Sequence, residues 1–182
     1  MQIQRSTKQI AVILFSLFVV LPAIGLLLLS VVGPRPTTPP RESTVLANFY
    51  AHRAVFEQLH AMLDADKPVE GVAGWGVQTA NSPLWVKPPE GGLSISRFHE
   101  YLTLLREIGA QRAGSEWEEH REVGIGVWRS GFAGESRHIN VVWLDYEPPN
   151  TIGNLDDFYK TPTPRSPVYR HIDGHWYIWA DW

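Results

Sequence analysis

Seven histidines and no cysteine limit the chemistry this 182-residue chain can attempt. Without a thiol there is no disulfide framework, no thiolate nucleophile and no sulfur-ligated metal. The most suggestive metal spacing is His171-x3-His175, which flanks Asp173-Gly174 in RHIDGHW. Asp-Gly between two β-rich runs favours a two-residue hairpin turn, and across such a turn the two histidines leave on opposite faces. They cannot then share one ion, so no metal and no cofactor is expected. His52 and His60 lie two turns apart on an expected helix and read as ordinary, partly exposed histidines. Gly124-x-Gly126 imitates the start of a dinucleotide fingerprint, but Arg129 holds its third glycine position and no helix follows. No serine lies in a Gly-x-Ser-x-Gly elbow, and Glu118-Glu119-His120 and Asp145 with Glu147 read as solvated features. No catalytic residue is named, and an enzyme is not expected.

Binding is the remaining use for the polar and aromatic residues. Pro148 to Pro167 is long for a turn and contains Leu155-Asp156-Asp157-Phe158-Tyr159, two carboxylates beside two aromatics, a composition suited to a protein contact or to one helical turn packing Phe158 on the core. The closing SPVYRHIDGHWYIWADW reads as a hairpin pairing Ile172 with His175, His171 with Trp176, Arg170 with Tyr177 and Tyr169 with Ile178. That register puts Val168, Ile172, Tyr177 and Trp179 on one face and Tyr169, Trp176, Ile178 and Ala180 on the other, so both faces need cover. All eight tryptophans lie beyond residue 43. Trp serves interfaces and cores alike. The candidate partner-binding residues are Asp156, Asp157, Phe158, Tyr159, His171, Trp176 and Trp179.

The elements that must position them follow from periodicity. Between Ala47 and Leu63, Phe49, Phe56, Leu59 and Leu63 share one face, which predicts an amphipathic helix ending near Asp64–Asp66, before Pro68. A second helix is expected over Ser96–Ile108, capped by Ser94 or Ser96 and closed by Gly109. GVAGWGVQ (71–78) reads as one strand and NSPLWVKPPEGG (81–92) as a loop. Gly124–Ser130 and His138–Tyr146 read as strands joined by a loop, with Gly124, Gly126 and Trp128 on one face. The expected fold is α+β, two amphipathic helices on an antiparallel sheet of four to five strands ending in the Asp-Gly hairpin.

Upstream, Ile10–Val32 runs 23 residues without a charge. At ~1.5 Å per residue it would measure ~35 Å as a helix, enough for a transmembrane span, and it is too long for the apolar core of a cleaved signal. The resulting division is a short cytoplasmic tail at 1–9, a transmembrane helix at 10–32, a Pro-rich linker at 33–43 and a globular domain at 44–182. Arg5 and Lys8 precede the run, which mildly favours a cytoplasmic N-terminus and a periplasmic domain in a bacterium. Residues 43–182 carry 12 Lys and Arg against 18 Asp and Glu. A net −6 argues against nucleic acid and would steer a basic protein partner.

VWRSGFAGESRHINVVW and TPRSPVYRHIDGHWYIWADW, with the basic tail and proline-rich spacer, resemble uncharacterised single-span, membrane-anchored envelope proteins of proteobacteria of the immunity-protein type. The resemblance covers nearly the whole chain and carries no motif of known chemistry, so no functional residue follows from it. It implies a tethered periplasmic domain that recognises and neutralises a protein partner, such as a basic toxin. Two other uses fit the sequence: an envelope assembly or sensor subunit, and a small-ligand-binding domain.

Overall fold

A computed structural model describes residues 38–117, 121–131, 136–160 and 166–181. Within them lie four helices and eight strands. In chain order these are α1 (Glu42–Ala51), α2 (Arg53–Ala65), β1 (Val69–Ala73), β2 (Gly76–Thr79), β3 (Ser82–Val86), α3 (Ile95–Glu107), β4 (Arg112–Trp117), β5 (Arg121–Ser130), β6 (Arg137–Leu144), α4 (Leu155–Phe158), β7 (Val168–Asp173) and β8 (Trp176–Asp181). The strands form one antiparallel sheet in the order β3-β2-β1-β4-β5-β6-β8-β7.

The expected four to five strands are therefore eight. The run read as one strand, 71–78, turns back on itself at Gly74-Trp75 and makes two. The stretch read as a loop contributes β3, where Pro83 is tolerated because the strand is at the sheet edge and no outer neighbour needs its amide. RAGSEW, poor in β-formers, becomes the central strand β4 because β1 and β5 pair with it on both sides. The expected N-terminal transmembrane helix is not supported. Ile10–Val32 lies outside the described residues, and no helix among those described is long and apolar enough to cross a membrane. The longest have 13 residues, ~20 Å against ~30 Å of hydrocarbon.

The single helix expected over 47–63 is two, α1 and α2, broken at His52 (φ −122°, ψ 25°). α1 begins at Glu42, inside the stretch read as linker, and is fixed there by a latch. The Glu42 amide donates to Asp156 Oδ1 at 2.9 Å, while its buried carboxylate accepts from Arg170 Nε at 3.1 Å and from the Leu155 amide. These bonds tie the first turn of α1 to α4 and β7. α3 starts where its cap predicts, with Ser94 Oγ accepting from the Arg97 amide at 3.1 Å, and Gly109 closes it at φ +68°. Asp66 joins α2 to α3 by accepting from Tyr101 Oη at 2.9 Å and Arg97 Nε at 2.8 Å.

All four helices pack on one face of the sheet. Phe49, Phe56, Leu59, Leu63, Tyr101 and Leu155 are fully buried there against Val72, Ile125, Ile139 and Ile178. The terminal hairpin differs from its expected register by one residue: Asp173 faces Trp176, His171 faces Tyr177, Arg170 faces Ile178, Tyr169 faces Trp179 and Val168 faces Ala180. The turn residues are Gly174 and His175, with Gly174 at φ +56°. A one-residue slip moves a whole strand to the other face. Val168 thus joins Trp176, Ile178 and Ala180 under the helices, and Tyr169 joins Tyr177 and Trp179 on the opposite side.

Candidate binding face

The side of the sheet away from the helices is hollow over β1, β4 and β5, where it owes its shape to glycine, beside a smaller buried cluster of Val142, Leu144, Tyr169 and Tyr177. Cross-strand partners share a face, so the strand register reads out as rungs across the sheet. One rung runs Gln78, Gly71, Gly114, Gly124, Val142, Tyr177. Three glycines on adjacent strands keep this rung low, and of them Gly124 is the open one, since the Glu70 carbonyl lies against Gly114. At Gly71 a Cβ would stand 3.0 Å from Trp85 Cη2, so the indole of β3 lies over that glycine. Trp85 is in turn braced by Trp75, ring centroids 5.4 Å apart. The other wall is aromatic too, formed by Trp179 and Tyr169 on β8 and β7. Between the walls lies a cleft of about 610 Å³.

Charged rungs close the floor at both ends. On one side Arg112 lies opposite Gly126, followed across the sheet by Asn140, Trp179 and Tyr169. On the other, Glu116 lies opposite Glu122, followed by Leu144. Arg112, Glu116 and Glu122 make no hydrogen bond or ion pair among the described residues, although Arg129 stands near enough to Arg112 to repel it and Glu116 near enough to attract it. Burial, then Arg129, pushes the Arg112 pKa below its ordinary value. Burial, then Glu116, pushes the Glu122 carboxyl above the usual range. Directly opposed like charges destabilise a strand pair, so the Glu116–Glu122 rung works against the fold.

The seven residues named from sequence do not converge. Asp156 accepts from the Glu42 amide, Asp157 pairs with Lys160 Nζ at 2.6 Å, and Phe158 and Tyr159 pack partly buried on the main core. Residues 148–160 are therefore anchored by a helical turn with Leu155 wholly buried. Trp176 is 2% exposed, between Phe49 and Phe56, with Nε1 donating to Glu57 at 2.9 Å. His171 is exposed on the open side, its ring against Tyr177. Only Trp179 lines the cleft. Histidine geometry also argues against chelation: His175 Nδ1 lies 2.9 Å from Leu144 O, on the Trp143 side, away from His171. His52 Nδ1 lies 3.1 Å from Asn48 O, and His60 stacks on Trp143, where burial and then Arg121 push its pKa down. Among the described residues no group of three His, Asp or Glu could hold a metal.

Sequence reasoning missed Arg112, Glu116, Glu122 and the glycine floor. The signal was Arg112-x-Gly114-x-Glu116, a period-two pattern that marks one strand face, beside Gly124-x-Gly126. A bulge between Gly126 and Trp128 also puts Trp128 in the core, not on the glycine face where alternation places it. No protein-family model matches the chain, and no match was found among curated proteins or solved structures.

Proposed function

We propose that the domain is a non-catalytic recognition module that captures a protein partner on the hollow face of its sheet and neutralises it, a toxin being the partner that the sequence resemblance suggests. The observation that carries this reading is a cleft walled by Trp85 and Trp179 in which the half-buried Glu122 and the exposed Arg112 and Glu116 make no hydrogen bond or ion pair among the described residues. Ionised groups held without partners weaken a fold unless something else uses them. The periplasmic placement rests on the uncharged run Ile10–Val32 and its flanking charges alone.

The test uses Gly124→Leu. A Cβ at Gly124 meets only Val142 Cγ1, at 3.9 Å, so a leucine there fills the cleft from its floor without disturbing the core. Proteins encoded beside this gene should be retained by the full chain, and their toxicity relieved by it. Gly124→Leu should abolish both with little change in the unfolding midpoint. Retention by neither protein, or retention indifferent to Gly124→Leu, overturns the reading. A second reading, small-ligand binding in the same cleft, is favoured by its volume, which falls within the ~300–1,000 Å³ usual for ligand sites.

A further inference from the structure

The two charged rungs give the cleft a polarity along the strands. Arg112 and Glu116 are four residues apart on β4 with Gly114 between them on the same face, so their Cα atoms stand ~13 Å apart. The basic end is reinforced by Arg129, on a rung that continues through His138 to Asp181, so two arginines there face one carboxylate. The acidic end doubles through Glu122. On the middle rung Gly124 is the open position, where a bulky side chain could descend to the sheet.

An extended segment lying over this face along the strands would present residues i, i+2 and i+4 downward, with the same ~13 Å between the first and the last. We infer that the cleft receives an extended segment of a protein partner bearing a basic and an acidic residue four positions apart, with a large side chain midway. The basic residue meets Glu116 and Glu122, the acidic residue meets Arg112, and the central side chain sits on the glycine floor between Trp85 and Trp179. This rests on the recognition reading above and specifies what is recognised. Each end of the segment supplies a directly hydrogen-bonded counter-charge, which no described residue gives Arg112, Glu116 or Glu122, and the low polarity that leaves Glu122 reluctant to ionise strengthens a pairing made there. A purely anionic ligand such as a phosphate would gain at Arg112 and be repelled by two carboxylates. A purely cationic one meets the reverse problem.

The test is calorimetric titration of the full chain with the capped pentapeptide acetyl-Lys-Ala-Tyr-Ala-Glu-amide and with analogues carrying Gln in place of Lys, of Glu, or of both. Each neutralised end should weaken binding about tenfold. Arg112→Gln should make the Glu and Gln peptides bind alike while leaving the effect of Lys intact. Glu116→Gln with Glu122→Gln should do the converse. Because the charges are varied in the peptide as well as in the protein, a folding defect cannot imitate this cross-pattern. Equal binding of the parent and doubly neutral peptides, an effect of Lys that survives loss of both glutamates, or no binding at millimolar peptide overturns the inference. If partner retention remains sensitive to Gly124→Leu in any of those cases, the recognition reading stands and only the segment chemistry falls.

Discussion

The two faces of this sheet are made by the same strands and differ in how they treat charge. Under the helices every ionised group named above has a partner: Glu42 with Arg170, Arg97 with Asp66 at 2.8 Å, and Arg121 with Asp64 at 3.1 Å while it also lies over the Trp143 ring. On the open face, one residue away along β4 and β5, Arg112, Glu116 and Glu122 make no hydrogen bond among the described residues. Aromatics divide the same way. Phe49, Phe56 and Trp176 interlock with centroids 5.3 to 6.1 Å apart, whereas Trp85 and Trp179 stand on opposite sides of a gap. One face has satisfied its own residues and holds the main core; the other combines a smaller buried cluster, Val142, Leu144, Tyr169 and Tyr177, with charged residues that something else can satisfy.

The largest expected contrast comes from truncating one aromatic on each face. Phe56 is wholly buried, and Phe56→Ala should cost ~3–5 kcal/mol of unfolding free energy through lost burial and the cavity left behind. Trp179 is only partly buried, and Trp179→Ala should cost roughly 1–2 kcal/mol, because much of its surface remains in contact with water when folded. Urea unfolding at equilibrium gives both values. Partner retention should follow the opposite order, surviving in Phe56→Ala wherever that variant is folded and failing in Trp179→Ala. Equal destabilisation by the two would mean that Trp179 is as much a part of the smaller buried cluster as Phe56 is of the main core, and the proposed distinction between the faces would be lost.

Glycine positions on the hollow face separate a floor built for packing from one left empty. A Cβ at Gly114 would lie 2.5 Å from the carbonyl oxygen of Glu70, so Gly114→Ala must shift backbone and should cost ~1–3 kcal/mol. A Cβ at Gly124 would meet only Val142 Cγ1, at an ordinary 3.9 Å, and Gly124→Ala should change stability by less than ~0.5 kcal/mol or raise it slightly, since alanine restricts the unfolded chain. Thermal unfolding of the two variants, side by side, measures the difference. A costly Gly124→Ala would show that its floor position is already occupied in the folded chain.

How far the sequence foretold these faces follows from which signals survive tertiary context. α3 was readable to within a residue because its apolar stripe, Ser94 cap and Gly109 closure agree. α1 and α2 merged into one expected helix because the break at His52 has no proline or glycine to announce it. β3 and β4 were missed because Pro83 and the glycine of RAGSEW suppress strand propensity, and each strand exists through its neighbours. The Asp-Gly hairpin was found but its turn slips by one residue, which reassigned β7 and concealed that Tyr169 and Trp179 share a wall. Residues that looked sociable in sequence, Asp156, Asp157, Phe158 and Trp176, turn out to serve caps, a local ion pair and the core. The cleft is not legible in the sequence because its floor is the absence of side chains on β4, β5 and the sequence-distant β1, and nothing in the sequence announces that β1 pairs with β4.

The smallest and most diagnostic effect concerns Glu122. Its folded-state pKa is raised, first by burial and then by Glu116 across the rung, so folding disfavours its ionised form. The penalty is absent at pH values below the ordinary carboxylate pKa, where the group is protonated in both states. It grows as pH rises through the window between the unfolded and the raised folded pKa, and is complete above it. Glu122→Gln should therefore stabilise the protein at neutral pH, by about 0.5 kcal/mol on the scale of opposed like charges on a strand pair. That gain should shrink to nothing in acid. Glu116→Gln should reproduce only part of it, because burial outweighs the neighbouring charge as the cause. Urea unfolding from pH 3 to 8 measures the trend. Destabilisation by Glu122→Gln at neutral pH would reveal a partner that satisfies the carboxylate within the chain, whereas the expected gain leaves it uncompensated and open to a basic residue from outside.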